Sequence, residues 1–127
     1  MSNTFVKLPT GDVEIEHIRE MYEDLKGSDF QYMDWKPRPA LVERNRGTSW
    51  LYTGQKFDSE YIDLVEGGWT HDHCQICSVT MCENKNEYTV TNGYFDGYDW
   101  VCKSCYETIL VLDNLEEKLN ELPQYQK

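Results

Sequence analysis

Hydrophobic positions along the chain change period several times, and each change marks an element. Ile15, Ile18, Tyr22 and Leu25 recur at steps of three and four, which predicts a helix from Val13 to Leu25 with that stripe facing inward. Asp12 stands where a helix cap is expected and Gly27 where a stop is expected. Glu14, Glu16, Glu20, Glu23 and Asp24 fall mostly off the stripe, as on a solvated face. Residues 1 to 11 read as a short lead ending in Pro9-Thr10-Gly11. Residues 28 to 39 read as irregular, with Pro37 and Pro39 forcing extended backbone.

The period then shortens to two. Ala40 to Arg44 and Thr48 to Thr53, joined by Asn45-Arg46-Gly47, predict a hairpin with Trp50 and Tyr52 on one face and Leu51 on the other. Tyr61 to Val65 reads as a short strand ahead of Gly67-Gly68, a pair that lets the backbone turn freely. Strand formers return from Tyr88 to Thr91 and from Tyr94 to Val101. Asn92-Gly93 and Asp96-Gly97 are both turn signals, so a second hairpin is expected here. Ile109, Leu112, Leu115, Leu119 and Leu122 restore the helical step until Pro123 ends it.

Cysteine spacing changes the picture most. Cys74-x-x-Cys77 is followed, after 24 residues, by Cys102-x-x-Cys105. Each pair places two sulfurs on one tight turn, and two such turns supply the four thiolates that a tetrahedral zinc ion accepts. The second pair opens the C-terminal helical pattern, where unpaired N–H groups and the helix dipole favour thiolates. Four thiolates leave no open position for water, so the expected site is structural. The order of knuckle, hairpin and helix resembles the treble-clef arrangement of zinc fingers.

The predicted fold class is therefore α+β, with an N-terminal helix and β-hairpin (residues 1–66) packed on a treble-clef-like zinc half (residues 67–127). The two are expected to form one compact unit. Gly67-Gly68-Trp69-Thr70-His71-Asp72-His73-Cys74-Gln75-Ile76-Cys77 and the later Trp100-Val101-Cys102-Lys103-Ser104-Cys105 resemble a recurring signature of small bacterial zinc-finger-like proteins. That resemblance covers the C-terminal half. It implies a zinc site, no reaction, and a stand-alone binding or inhibitory role of the immunity type.

Other residues carry alternatives. His71 and His73 project to the same side of extended backbone. They can orient the knuckle through their ring nitrogens, bind a second metal, replace one cysteine or move protons. His73 is the best substitute ligand. Cys82, the fifth cysteine, reads as an inert thiol or as a redox one. Asp96 and Asp99 with Asp72 can form a carboxylate site, although turn chemistry accounts for Asp96 equally well. Trp69 and Trp100 precede the two pairs, either packing around the sulfurs or standing out as contacts for a partner.

Formal net charge is -11. This disfavours broad contact with nucleic-acid phosphates or anionic lipid and suits a basic protein partner. Lys36, Arg38, Arg44 and Arg46 form a local basic cluster. It can meet a phosphate or an acidic partner, or pair with the acids around it. No apolar run follows a basic start at Met1-Ser2-Asn3-Thr4-Phe5, and no stretch reaches membrane-spanning length, so a reducing, cytoplasmic setting is expected. Neither a nucleophile elbow nor a phosphate loop occurs in the sequence. The leading functional expectation is a non-enzymatic protein–protein interaction module. The alternatives are a metal-dependent enzyme using His71 and His73, and a nucleic-acid-binding zinc ribbon.

Overall fold

The computed structural model describes residues 3–127. Among the described residues, four three-stranded sheets, three α-helices and one π-helical turn make an α+β fold. The first sheet contains both ends of the described chain. Strand β1 (Thr4–Leu8) pairs antiparallel with β2 (Gly11–Glu14) on one side and with the last strand, β12 (Gln124–Gln126), on the other. The expected lead is thus a strand. Its alternation buries Val6 and Leu8, and the two turn residues after it, Pro9 and Thr10, lead back through Gly11.

Helix α1 (Ile15–Leu25) buries Ile18, Tyr22 and Leu25 as its period requires. Its start differs from the expected one. Asp12 lies in β2, where its carboxylate accepts from the Tyr125 hydroxyl at 2.8 Å, and the helix begins after Glu14 with no side-chain cap. The strand claims Val13 because that residue pairs with Val6 and is buried.

Two further sheets are built across the chain. The segment expected to be irregular holds β3 (Gln31–Asp34), which pairs with β10 (Asn92–Phe95), and β10 in turn pairs with β11 (Trp100–Cys102). Strand β4 (Arg38–Glu43) forms the expected hairpin with β5 (Ser49–Leu51) and also pairs with β6 (Ile62–Trp69). Gly67 and Gly68 lie inside β6, where the register with β4 shifts between Arg38 and Ala40. Gly67 has φ +69°, so its conformational freedom serves a bulge within the ladder. Of the basic cluster, Arg44 pairs with Asp63 at 3.0 Å, Arg46 with Glu43 at 3.6 Å, and Arg38 lies over the Phe95 ring.

The fourth sheet is small: β7 (His71–His73), β8 (Thr80–Cys82) and β9 (Thr89–Val90), with β8 and β9 parallel. Asn92-Gly93 is therefore strand and not a turn. The β10–β11 hairpin turns at Asp96-Gly97 instead, where Asp96 Oδ1 accepts from the backbone N–H groups of Tyr98 and Asp99. Gly93 is needed for a close approach. A side-chain carbon there would lie 2.5 Å from Met81 Cε and 2.7 Å from the Val101 carbonyl oxygen.

The C-terminal helix is broken into pieces. Helix α2 (Lys103–Cys105) continues as a π-helical turn over Tyr106–Leu110, and α3 (Leu115–Glu121) begins afresh. Asn114 caps α3 by accepting from Glu117 N–H at 3.1 Å. At the break, the Leu112 carbonyl accepts from the Tyr22 hydroxyl at 2.6 Å. Arg19 of α1 makes two hydrogen bonds to the Glu116 carboxylate, at 2.8 and 3.1 Å, which locks α1 against α3. One buried cluster runs from Val6 through Ile18, Trp35, Ile76 and Met81 to Ile109 and Leu119. Among the described residues no helix is long and apolar enough to cross a membrane.

Candidate metal centre

The first cysteine pair lies on the turn between β7 and β8. Cys74 N–H donates to the Val79 carbonyl at 3.0 Å, and Ser78 N–H donates back to the Cys74 carbonyl at 2.9 Å. Closing the turn this tightly puts Ser78 at φ +66°, the left-handed region that non-glycine residues rarely adopt. Ile76 N–H points at Cys74 Sγ from 3.4 Å.

Strand β11 delivers the second pair. Cys102 is the residue before α2, and its sulfur accepts from Cys105 N–H at 3.4 Å, so the thiol itself caps the helix. The four Sγ atoms of Cys74, Cys77, Cys102 and Cys105 all lie within 4.8 Å of one another. No disulfide links them. Cys74, Cys102 and Cys105 are buried, whereas Cys77 is half-buried. This set can hold one metal ion.

Crowding of four sulfurs makes their protons interdependent. The Cys105 and Cys74 thiols are pushed up, chiefly by hydrogen bonding to Cys102. Cys102 is pushed down because it accepts from Cys105, and next from Cys74 and Cys77. The Cys102 sulfur also faces the Cys105 N–H at the start of α2, which favours its thiolate.

Thr10, in the turn between β1 and β2, completes the surroundings. Its hydroxyl donates to Cys77 Sγ at 2.9 Å and lies 3.6 Å from Cys102 Sγ and 4.0 Å from Cys105 Sγ. Two open clefts, each of about 370 Å³, flank this threonine. One reaches Cys77 beside Ser78 and Tyr88, the other reaches Cys102 beside Lys103 and Glu107. Sequence reading missed Thr10, since 67 residues separate it from Cys77 and a single threonine carries no spacing signal. It also missed His17, whose Nε2–H donates to the Gln75 carbonyl at 2.9 Å and pins α1 to the knuckle.

Comparison with protein-family models, curated proteins and solved structures finds no match. The reading of the site therefore rests on its own geometry.

The remaining sequence candidates are dispersed around this centre. His71 and His73 are exposed on β7, with ring centroids 5.1 Å apart. His73 Nδ1 lies 3.2 Å from the Ser78 carbonyl, and His71 Nδ1 lies 3.4 Å from Thr70 Oγ1. Neither histidine belongs to the sulfur cluster. Asp72, between them, points the opposite way. Its two oxygens accept from the indole N–H groups of Trp35 at 3.0 Å and Trp69 at 3.1 Å. The structure does not gather Asp72 with Asp96 and Asp99. Burial, and then the neighbouring Asp96 charge, push the Asp99 carboxyl up. Trp69 is half-buried, while Trp100 is 5% exposed and stacks on Phe95, with its indole N–H unpartnered. Cys82 is half-buried on β8, and its thiol donates to the Asn84 carbonyl at 3.2 Å.

Proposed function

We propose that the four cysteines hold one zinc ion in a closed structural site, and that the folded chain acts as a protein–protein interaction module. The observation that carries the first part is the donor set itself. A tetrahedral ion with zinc–sulfur bonds of about 2.3 Å holds its sulfurs about 3.8 Å apart. Cys77 Sγ and Cys102 Sγ are separated by 3.7 Å. Four thiolates complete the coordination, so the ion serves the fold. Cys74, Cys77, Cys102 and Cys105 would be its ligands, with N–H donors on Cys74 and Cys102 and the Thr10 hydroxyl on Cys77 easing their charge. The order of knuckle, β10–β11 hairpin and α2 supports a treble-clef-like assignment, in line with the small bacterial zinc-finger-like proteins whose motif the chain resembles.

The module reading rests on charge and aromatic exposure. At a net charge of -11, the chain attracts a basic protein and repels nucleic acid. Tyr88 and Tyr98 are 75% and 89% exposed, and tyrosine offers broad contact area with a polar tip. Trp69 keeps some surface for such a contact, and buried Trp100 keeps almost none. Inhibition of a basic partner, as by an immunity protein, is the activity this surface fits best.

Metal analysis of protein purified without added metal tests the site. One zinc per chain is expected, lost in a Cys74→Ser, Cys105→Ser double variant together with near-UV circular dichroism. Capture of partners from native lysate tests the module. A basic protein whose affinity falls steeply with salt is expected. Recovery of no partner, or an affinity indifferent to salt, would overturn the second part alone.

A further inference from the structure

The face of β7 and β8 turned away from the core carries two histidines and a cysteine, side chains of types that can ligate metals. In this antiparallel pair His71 stands opposite Cys82, Asp72 opposite Met81, and His73 opposite Thr80. Directly opposed residues point to the same side of a sheet, and alternate residues on one strand do likewise. Asp72 reaches inward to the indoles of Trp35 and Trp69, and Met81 is fully buried. His71, His73 and Cys82 therefore share the outer face. The two histidine rings confirm this by meeting edge to face.

We propose that His71, His73 and Cys82 form a second, exchangeable metal site for a zinc-class divalent ion, distinct from the four-cysteine centre. Two imidazoles and one thiolate are donors that such ions favour. The ring of His73 is already oriented for ligation. The Ser78 carbonyl can only accept, so Nδ1 carries the proton and Nε2 presents its lone pair to solvent. A ligating histidine commonly has its other nitrogen held in this way. Thr70 Oγ1, a hydroxyl that can donate or accept, lies 3.4 Å from His71 Nδ1.

The three ligand atoms are not drawn together in the structure as the four sulfurs are. Cys82 Sγ is turned to the Asn84 carbonyl. Binding would release the thiol proton to solvent, break that hydrogen bond, and swing the sulfur towards the imidazoles by rotation about its first side-chain torsion. Directly opposed Cβ atoms are only about 5 Å apart, which places Cys82 and His71 within reach of one ion. Three protein ligands leave a fourth position to water, so this ion would exchange where the four-thiolate ion does not.

Equilibrium dialysis of the zinc-loaded protein against cobalt(II) tests the proposal, with His71→Ala, His73→Ala and Cys82→Ser variants beside the wild type. The wild type is expected to bind one further equivalent, with a sulfur-to-cobalt absorption band. Each histidine variant should weaken that equivalent at least 10-fold, and Cys82→Ser should abolish the band. All four proteins should keep one zinc and an unchanged circular dichroism spectrum, because the two histidines are exposed and serine replaces the half-buried Cys82 at nearly equal size. Absence of a second equivalent in the wild type would overturn the proposal. So would a second equivalent that survives all three substitutions. Loss of the first zinc from an unsubstituted chain would instead count against the four-cysteine reading.

Discussion

Replacing Gly93 by alanine tests how tightly the hairpin that carries Cys102 is packed. The added carbon would meet Met81 Cε at 2.5 Å, the Val101 carbonyl oxygen at 2.7 Å and Cys102 Cα at 3.3 Å. Carbon atoms pack comfortably at about 3.5 to 4.0 Å, so the methionine tip must retreat by about 1 Å. Met81 is fully buried, so its terminal methyl, the far end of a flexible side chain, has to shift within the core. The Val101 oxygen belongs to the backbone next to Cys102 and cannot swing aside without shifting that cysteine. Overpacking of this kind costs about 1 to 3 kcal/mol, and two rigid contacts place Gly93→Ala near the upper value. Against a typical total stability of about 5 to 15 kcal/mol that is a large fraction. Urea unfolding in constant excess zinc, followed by far-ultraviolet circular dichroism, measures it. A Met81→Ala background removes the closest contact, so the double variant should recover about 1 kcal/mol relative to additivity. Gly27→Ala is the control, since a side-chain carbon there meets nothing within 4 Å. A Gly93→Ala protein within about 0.5 kcal/mol of wild type, or a strictly additive double variant, would refute the packing argument.

Three further outcomes follow from the same geometry. Asp72→Ala should cost about 1 to 3 kcal/mol in chemical unfolding, because it strands the indole N–H of Trp35, which is 1% exposed. Tryptophan fluorescence should shift with it. Ser78→Gly should raise stability by about 1 kcal/mol by relieving the φ of +66°, whereas Ser78→Val should lower it, both read from thermal unfolding in excess zinc. The Arg19 guanidinium, by hydrogen bonding and then charge, holds the Glu116 carboxyl below the usual carboxylate range in the folded state. This pairing stabilises the fold above the unfolded carboxylate range and is lost as pH falls through the lower folded value. An NMR titration of Glu116 should therefore move up towards the ordinary range in Arg19→Gln.

The cysteine spacing was fully legible because two C-x-x-C turns reach one point only if the fold brings them together, as it does. Helix α1 was legible from its stripe, and the β4–β5 hairpin from its alternation. Asn92-Gly93 misled because glycine serves two physical ends. It permits a left-handed turn, and it also permits two layers to approach closely, and only the tertiary structure decides between them. The leucine period from Ile109 to Leu122 misled in another way. The helical step persists across a break because Ile109 and Leu110 before it and Leu115 and Leu119 after it belong to the same buried cluster. Asp113-Asn114 held the contrary signal, since Asn114 caps a fresh helix. Strands β1 and β12 and the Thr10 contact join residues more than 60 positions apart, and no local pattern encodes such pairings.

The pairing of β1 with β12 has a consequence for engineering. Asn3 N–H donates to the Lys127 carbonyl at 3.2 Å and Lys127 N–H donates to the Asn3 carbonyl at 3.0 Å. The described polypeptide is thus almost a closed ring. A few flexible residues would join its ends, and new ends could be opened at the exposed Gly47 turn without cutting a ladder or parting the cysteine pairs. Such a permuted chain would have its cysteine-bearing segment nearer the start of synthesis, turning the order in which the parts emerge into a variable that can be set by design.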